Sequence, residues 1–320
     1  MVHSFAMRFA GDEALDDRAR EGQAAPAAPI FPDPIRVDRP DPQRLPVVLS
    51  SPHSGRVYPQ AFLAASRLDP VAIRRSEDSF VDELAAGAHA QGVPLLSANF
   101  PRAYLDVNRE PYELDPAMFH DPLPAHANTR SLRVGSGLGT IARVVREGAE
   151  IYREKLSFAE AERRIRSLYH PYHEALSALM EEPRARFGAA ILIDCHSMPS
   201  TAGVGDRDAG RARADIVLGD RFGASCAPAV MRKAEEVLRG HGLSVERNRP
   251  YAGGFSTEHY GRPYQGLHAL QIEINRALYM DEDRIERRPA GMARIESALA
   301  ATVAALGAIE PRDLKARTAR

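Results

Sequence analysis

The chain is poor in cysteine, with two in 320 residues. Two thiols make neither a disulfide framework nor a Cys-rich zinc site. Any metal must therefore be held mainly by histidine and carboxylate, and eleven histidines leave room for that. An excess of charge of one sign is also missing. Lys+Arg number 42 and Asp+Glu 43, a formal net of −1. This excludes the one-sign field that wholesale nucleic-acid or polybasic-membrane binding needs. No apolar run approaches the ~18 residues of a membrane span. The N-terminus, MVHSFAMRFAGDEALDDRAR, lacks the basic and apolar regions of a secretory signal. There is no internal repeat, no G-x-S-x-G elbow and no P-loop. What is left is a globular protein expected in the cytoplasm, 44% hydrophobic and long enough to bury a large core.

Residues 1–45 are proline-rich and aperiodic and read as a mobile leader. A catalytic domain is expected over 46–310, and a frayed basic tail over 311–320. Val47-Val48-Leu49 is a buried strand delivering the polar loop Ser50-Ser51-Pro52-His53-Ser54-Gly55. Phe80, Leu84 and Ala88 share a helical face, with Gly92 as a C-cap. Val93–Leu96 and Tyr104–Val107 read as strands, and Glu113–Thr140 as a long binding loop. Helix is expected from about Glu154, with Pro171 kinking or splitting the run. Ala189–Cys195 is the strongest strand, and the Gly-rich stretch after Pro199 reads as another loop. Val230–Leu238 is helical, Leu243–Val245 begins a strand, Ala269–Ile274 is another, and Ile285–Leu306 is a final helical region. Strands alternating with helices predict an α/β sheet covered on both faces.

His53 and His196 each sit just beyond a predicted strand, where open α/β sheets form their ligand crevice. Two such histidines and one carboxylate make a catalytic metal site with an open position for water. The acid could come from Glu77, Asp78 or Asp82, although Asp78 also suits a helix N-cap. Gln271, Glu273 and Asn275 share one face of their strand, and a carboxylate inside an α/β sheet needs a partner or a role as general base. Asp106 and Asn108 alternate likewise, with Arg109 at the end. Arg102 and Arg249 are further candidates for holding an anion. Tyr251–Phe255 contains a Gly-Gly turn open to a ligand. Cys195 points away from its neighbour His196 and is read as core.

The segments SSPHSG, SEDSFVDEL, PRAYLDVNRE, IDCHSMPS, NRPYAGG and ALQIEINRALYMDE stand in this order from about Pro46 to Glu282. Together they resemble the N-formylglutamate amidohydrolase family, a branch of the zinc carboxypeptidase-like hydrolases. The resemblance implies a three-layer α/β/α fold with a mixed central sheet, zinc-exopeptidase-like (phosphorylase/hydrolase-like). It implies a zinc-dependent deformylase cleaving N-formyl-L-glutamate to formate and L-glutamate in histidine breakdown. His53, Asp78 and His196 are then the Zn2+ ligands, with Glu77 as the alternative acid. Asp106 orients His53, Asn108 and Arg109 hold a substrate carboxylate, and Glu273 is the general base. Arg102 is expected at the oxyanion, and Arg249 among the substrate-binding residues. The partner expected is a small N-acyl amino acid, with no nucleic acid and no membrane.

Overall fold

In the computed structural model, residues 30–145, 148–203 and 211–314 are described, and one compact unit begins at Asp33. Its frame is seven strands: β1 (Ile35–Asp38), β2 (Val47–Ser51), β3 (Leu95–Ala98), β4 (Ala190–Met198), β5 (Ile216–Gly219), β6 (Val245–Arg247) and β7 (Leu267–Asn275). They lie in the order β1-β3-β2-β4-β7-β5-β6. The central four strands are parallel; β1 is antiparallel to β3, and β5 to β7. The sheet is therefore mixed, as expected.

Helices cover both faces. They are α1 (Gln60–Ala65), α2 (Val81–His89), α3 (Leu132–Gly135), α4 (Phe158–Arg164), α5 (His170–Phe187), α6 (Pro228–Gly240), α7 (Phe255–Tyr260) and α8 (Pro289–Gly307). α2, α6 and α8 pack together on one side, with α5 and α7 on the other, giving three α/β/α layers. β4 and β7 are buried along their whole length, because parallel strands between two helical layers have no wet face. Alternation then divides each strand. Ile191, Ile193, Cys195, Leu270, Ile272 and Ile274 enter the core beneath α2, α6 and α8. Asp194, His196, Gln271 and Glu273 take the opposite face. In the ladder Asp194 pairs with Gln271 and His196 with Glu273.

Several expectations change. The ordered sheet begins at Ile35, not Pro46, because Ile35–Asp38 finds an edge to pair with. Residues 1–29 lie outside the described residues. Leu314, in the expected tail, is 3% exposed and joins the core. Tyr104–Val107 is a series of turns, not a strand. Tyr104 and Leu105 donate to the carbonyl of Pro101, and Asn108 N to Asp106 Oδ1. β5 lies inside the stretch read as loop. The final helix starts at Pro289, after Ile285 at φ 54° and a two-stranded hairpin. Pro171 falls in the first turn of α5, just after a widened π turn over Ile165–Tyr169 that absorbs its missing N–H. Among the described residues, no helix is long and apolar enough to cross a membrane.

Candidate metal centre and active site

β2 ends by delivering His53 in the turn that follows. Gly55 lets this loop lie against the next layer, since a Cβ there would overlap the carbonyl oxygen of Phe100. Asp78 N donates to the carbonyl of His53 at 3.0 Å, and Ser54 Oγ to the carbonyl of Asp78 at 3.0 Å. The two loops are thus laced together before either side chain is considered. β4 brings His196 to the same place from the neighbouring strand.

His53, Asp78 and His196 form a buried group whose ligating atoms lie within 4.8 Å of one another. Asp78 Oδ2 is 3.4 Å from His53 Nδ1 and 3.1 Å from His196 Nδ1. Each ring's other nitrogen faces a further carboxylate. Asp106 Oδ1 is 2.7 Å from His53 Nε2, and Asp194 Oδ2 is 2.8 Å from His196 Nε2. Carboxylates only accept, so this pairing selects neutral rings with hydrogen on Nε2 and a lone pair on Nδ1. Three lone pairs then converge, which is repulsive unless a cation lies among them. His53 Nδ1 is buried and makes no hydrogen bond among the described residues. Ligands at 2.0–2.1 Å in a tetrahedron stand about 3.3 Å apart, so the 3.4 and 3.1 Å spacings from Asp78 to the two rings fit such an ion. The donor set of two imidazoles and one carboxylate suits zinc and several other divalent metals.

The charges support the same reading. Burial would raise the Asp78 carboxyl, but the His196 and His53 imidazoles beside it outweigh that and hold the group well below the usual range. Burial opposes charge on His196, yet Asp194, Asp78 and Glu273 push its ring well above the ordinary value. Surroundings that drive a proton onto a buried ring also hold a metal cation. Burial raises Asp106 too, and Arg102, Arg109 and His53 overcome it. Glu273 is pushed up to about 7, by burial first and then by Asp78, against the opposing cations of His196, Arg102 and Arg276. That value suits a group that exchanges protons near neutrality.

Of the three acids left open by sequence, Asp78 is the one brought to the histidines. It is not the N-cap of α2; Phe80 is, at φ 67°. Glu77 turns away to Arg74, Tyr58 and Ser79, and Asp82 pairs with Arg56. Arg102 reaches the centre, donating its Nε to Asp106 Oδ2 at 2.9 Å. Asn108 and Arg109 are present but committed to the protein. Asn108 Oδ1 accepts from Ser256 N at 2.8 Å, which turns its Nδ2 toward Asp194 Oδ2 at 3.4 Å, beside His196. Arg109 donates Nε to the carbonyl of Leu138 and Nη1 to that of Asn108, with Nη2 3.6 Å from Asp106 Oδ2. Both side chains therefore brace the loop in this structure. Arg249 is exposed and precedes a cis bond to Pro250, at the start of the Tyr251–Gly254 segment.

Three residues were not singled out from sequence. Asp194 matches Asp106 as a histidine partner, and its signal was the two-residue spacing to His196 on one strand face. Arg276 donates to Asp78 Oδ1 at 3.1 Å and to Ser197 Oγ at 3.0 Å, fixing the carboxylate oxygen that faces away from the histidines. Gln271, noted only as one of three polar groups, donates to Glu273 Oε1 at 2.8 Å.

Residues 45–280 match the family model for N-formylglutamate amidohydrolase. An N-formylglutamate deformylase of Pseudomonas aeruginosa is 32% identical over 243 residues, covering 75% of this chain and 84% of that protein. One from Pseudomonas putida is 28% identical over 242 residues, 75% and 83% of the two chains. The crystal structure of N-formylglutamate amidohydrolase from Ralstonia eutropha JMP134 superposes with a TM-score of 0.77 at 37% identity, over 84% of this chain and 95% of that one. The family model, the relatives and the shared fold agree: this chain belongs to the N-formylglutamate amidohydrolase family.

Proposed function

We propose that the protein hydrolyses the formamide of N-formyl-L-glutamate, giving formate and L-glutamate, with a metal held by His53, Asp78 and His196. The observation that carries this reading is the convergence of two Nδ1 atoms and one carboxylate oxygen beside Glu273, in a chain of this family. We assign zinc as the metal from the donor set. When bound, it would acidify a water and polarise the formyl carbonyl.

The protein's own groups do the rest. Glu273, poised near neutrality, takes a proton from the attacking water and returns it to the departing amine nitrogen. The water oxygen bonds to the formyl carbon, the C–N bond breaks, and the protons of water end on the amine. Asp106 and Asp194 hold the two imidazoles in one tautomer and orientation. Arg102, braced by Asp106, offers its terminal nitrogens to the developing oxyanion. Arg249 is assigned to a substrate carboxylate, while Asn108 and Arg109 keep the Asp106 loop in place.

Metal content and deformylase activity of wild type, Glu273→Gln and His196→Ala test this together. Glu273→Gln should keep stoichiometric metal and lose at least a hundredfold in kcat, the usual scale for a general base. His196→Ala should lose the metal. Full activity in the first, or retained metal in the second, overturns the assignment. A panel of N-formyl and N-acetyl amino acids reads the acyl preference. Ligand binding without turnover or metal would point instead to a non-catalytic binder of acidic amino acids.

A further inference from the structure

Gln271 lies on β7 two residues before Glu273 and on the same face, and is 4% exposed. Its Oε1 accepts from Gly254 N at 2.9 Å. A backbone N–H can only donate, so this contact fixes which end of the amide is oxygen. The Nε2 end must then face Glu273, where it donates to Oε1 at 2.8 Å. One lone-pair region of the carboxylate is thereby occupied, and Oε2 is the oxygen that remains for proton transfer.

Gly254 is itself held from the metal side. A Cβ at this position would overlap the Asn108 amide, and Ser256 N donates to Asn108 Oδ1 at 2.8 Å. Asn108 stands against His196 and Asp194. A continuous set of contacts therefore runs from the metal-site histidine through Asn108, Gly254 and Gln271 to Glu273. No other neutral side chain of this length both accepts from Gly254 and donates to Glu273. Methionine does neither, and glutamate would set a second carboxylate against the first.

We infer that Gln271 is a positioning residue for Glu273: it selects the proton-accepting oxygen and locks the base to the Gly253-Gly254 loop. The inference rests on Glu273 being the general base, so Glu273→Gln is measured in parallel. Misplacing a reacting group by about 1 Å costs up to ~100-fold in rate. Gln271→Met is accordingly expected to lower kcat ten- to a hundredfold, with KM within threefold of wild type and metal still stoichiometric. Gln271→Glu, which keeps the shape and the acceptor for Gly254, should lose at least as much.

A kcat within threefold of wild type in Gln271→Met overturns the inference. So does metal loss, or a raised KM with kcat kept. If Glu273→Gln is fully active, the base reading itself fails, and that outcome is separate from a silent Gln271→Met beside an inactive Glu273→Gln. A crystal structure of the wild type gives a check that needs no variant. Gln271 Nε2 should lie within hydrogen-bond distance of Glu273, and an amide turned away from it refutes the assignment.

Discussion

Acid should unfold this protein partly through one residue far from the chemistry. His268 is fully buried on β7, and its Nδ1 accepts from Ala227 N at 3.2 Å, at the head of α6. The ring proton is therefore on Nε2, which has no hydrogen-bond partner among the described residues. Charging the ring would put a hydrogen on Nδ1 against the N–H of Ala227, at the positive end of a helix. Burial pushes His268 down to about 4 from its ordinary 6.5. Between those values the unfolded chain takes up a proton that the folded chain refuses, so stability falls as pH drops from about 7 toward 4. At ~1.4 kcal/mol per tenfold change in proton affinity, the full loss is about 3 kcal/mol, and about 2 kcal/mol of it has appeared by pH 5.

His268→Asn isolates this effect, because the Asn oxygen can still accept from Ala227 but does not titrate. Urea unfolding of both proteins at pH 7.5 and pH 5.0 gives four free energies. The variant starts lower through lost packing, and that offset does not depend on pH. The gap between the two proteins should close by about 2 kcal/mol at pH 5.0. The titration of Asp78, Asp106 and the half-buried His173 is common to both proteins and cancels. Parallel pH dependence, with the gap unchanged to within about 0.5 kcal/mol, would refute the reasoning.

Gly254→Ala should drive its new methyl into the Asn108 amide, costing about 1–3 kcal/mol of stability by thermal or urea unfolding, with a drop in kcat. Asp106→Asn removes the carboxylate that sets the His53 tautomer, and metal affinity in a competition titration should fall 10–100-fold. Treatment with a chelator should abolish turnover and lower Tm, both recovered on adding the metal back, because a ligand that binds only the folded state stabilises it. Arg276→Lys should weaken metal binding more than it weakens the fold, since it withdraws one of the donors fixing Asp78 Oδ1.

The two histidines were legible because each follows an apolar run that announces a strand; β2 ends before His53, whereas β4 runs on through His196 to Met198, and the sheet order sets the two strands side by side. Cys195 and His196 were read to opposite faces from strand geometry alone, and they take opposite faces. Other features had misleading or distant signals. The two-residue alternation of Asp106 and Asn108 imitates a strand, but a turn held by an aspartate accepting from the backbone produces the same spacing. β5 is four residues in glycine-bearing surroundings, too short for a periodic signature. The partners that Asn108 and Arg109 take in the fold, Ser256 and Leu138, lie 148 and 29 positions away, beyond the reach of any local pattern. Choosing Asp78 over Glu77 likewise required Arg74 and Tyr58, which claim Glu77 and leave its neighbour facing the two histidines.

The in-register pairing of His196 with Glu273 also governs how such a protein can change over evolution. Asp194 and His196 on β4, and Gln271 and Glu273 on β7, share one face, and Ile193, Cys195, Ile272 and Ile274 between and beside them belong to the core. Inserting or deleting a single residue in β4 would exchange His196 with Cys195 or Ser197 and carry the imidazole, without its polar partners, into the α2–α8 core. Activity and folding would fail together. The two strands can vary only by substitution at fixed length, so gain and loss of residues is confined to the loops that connect the strands and helices. Diversification of substrate choice is therefore channelled into loop length, while the spacing of the catalytic groups stays quantised by the pleat.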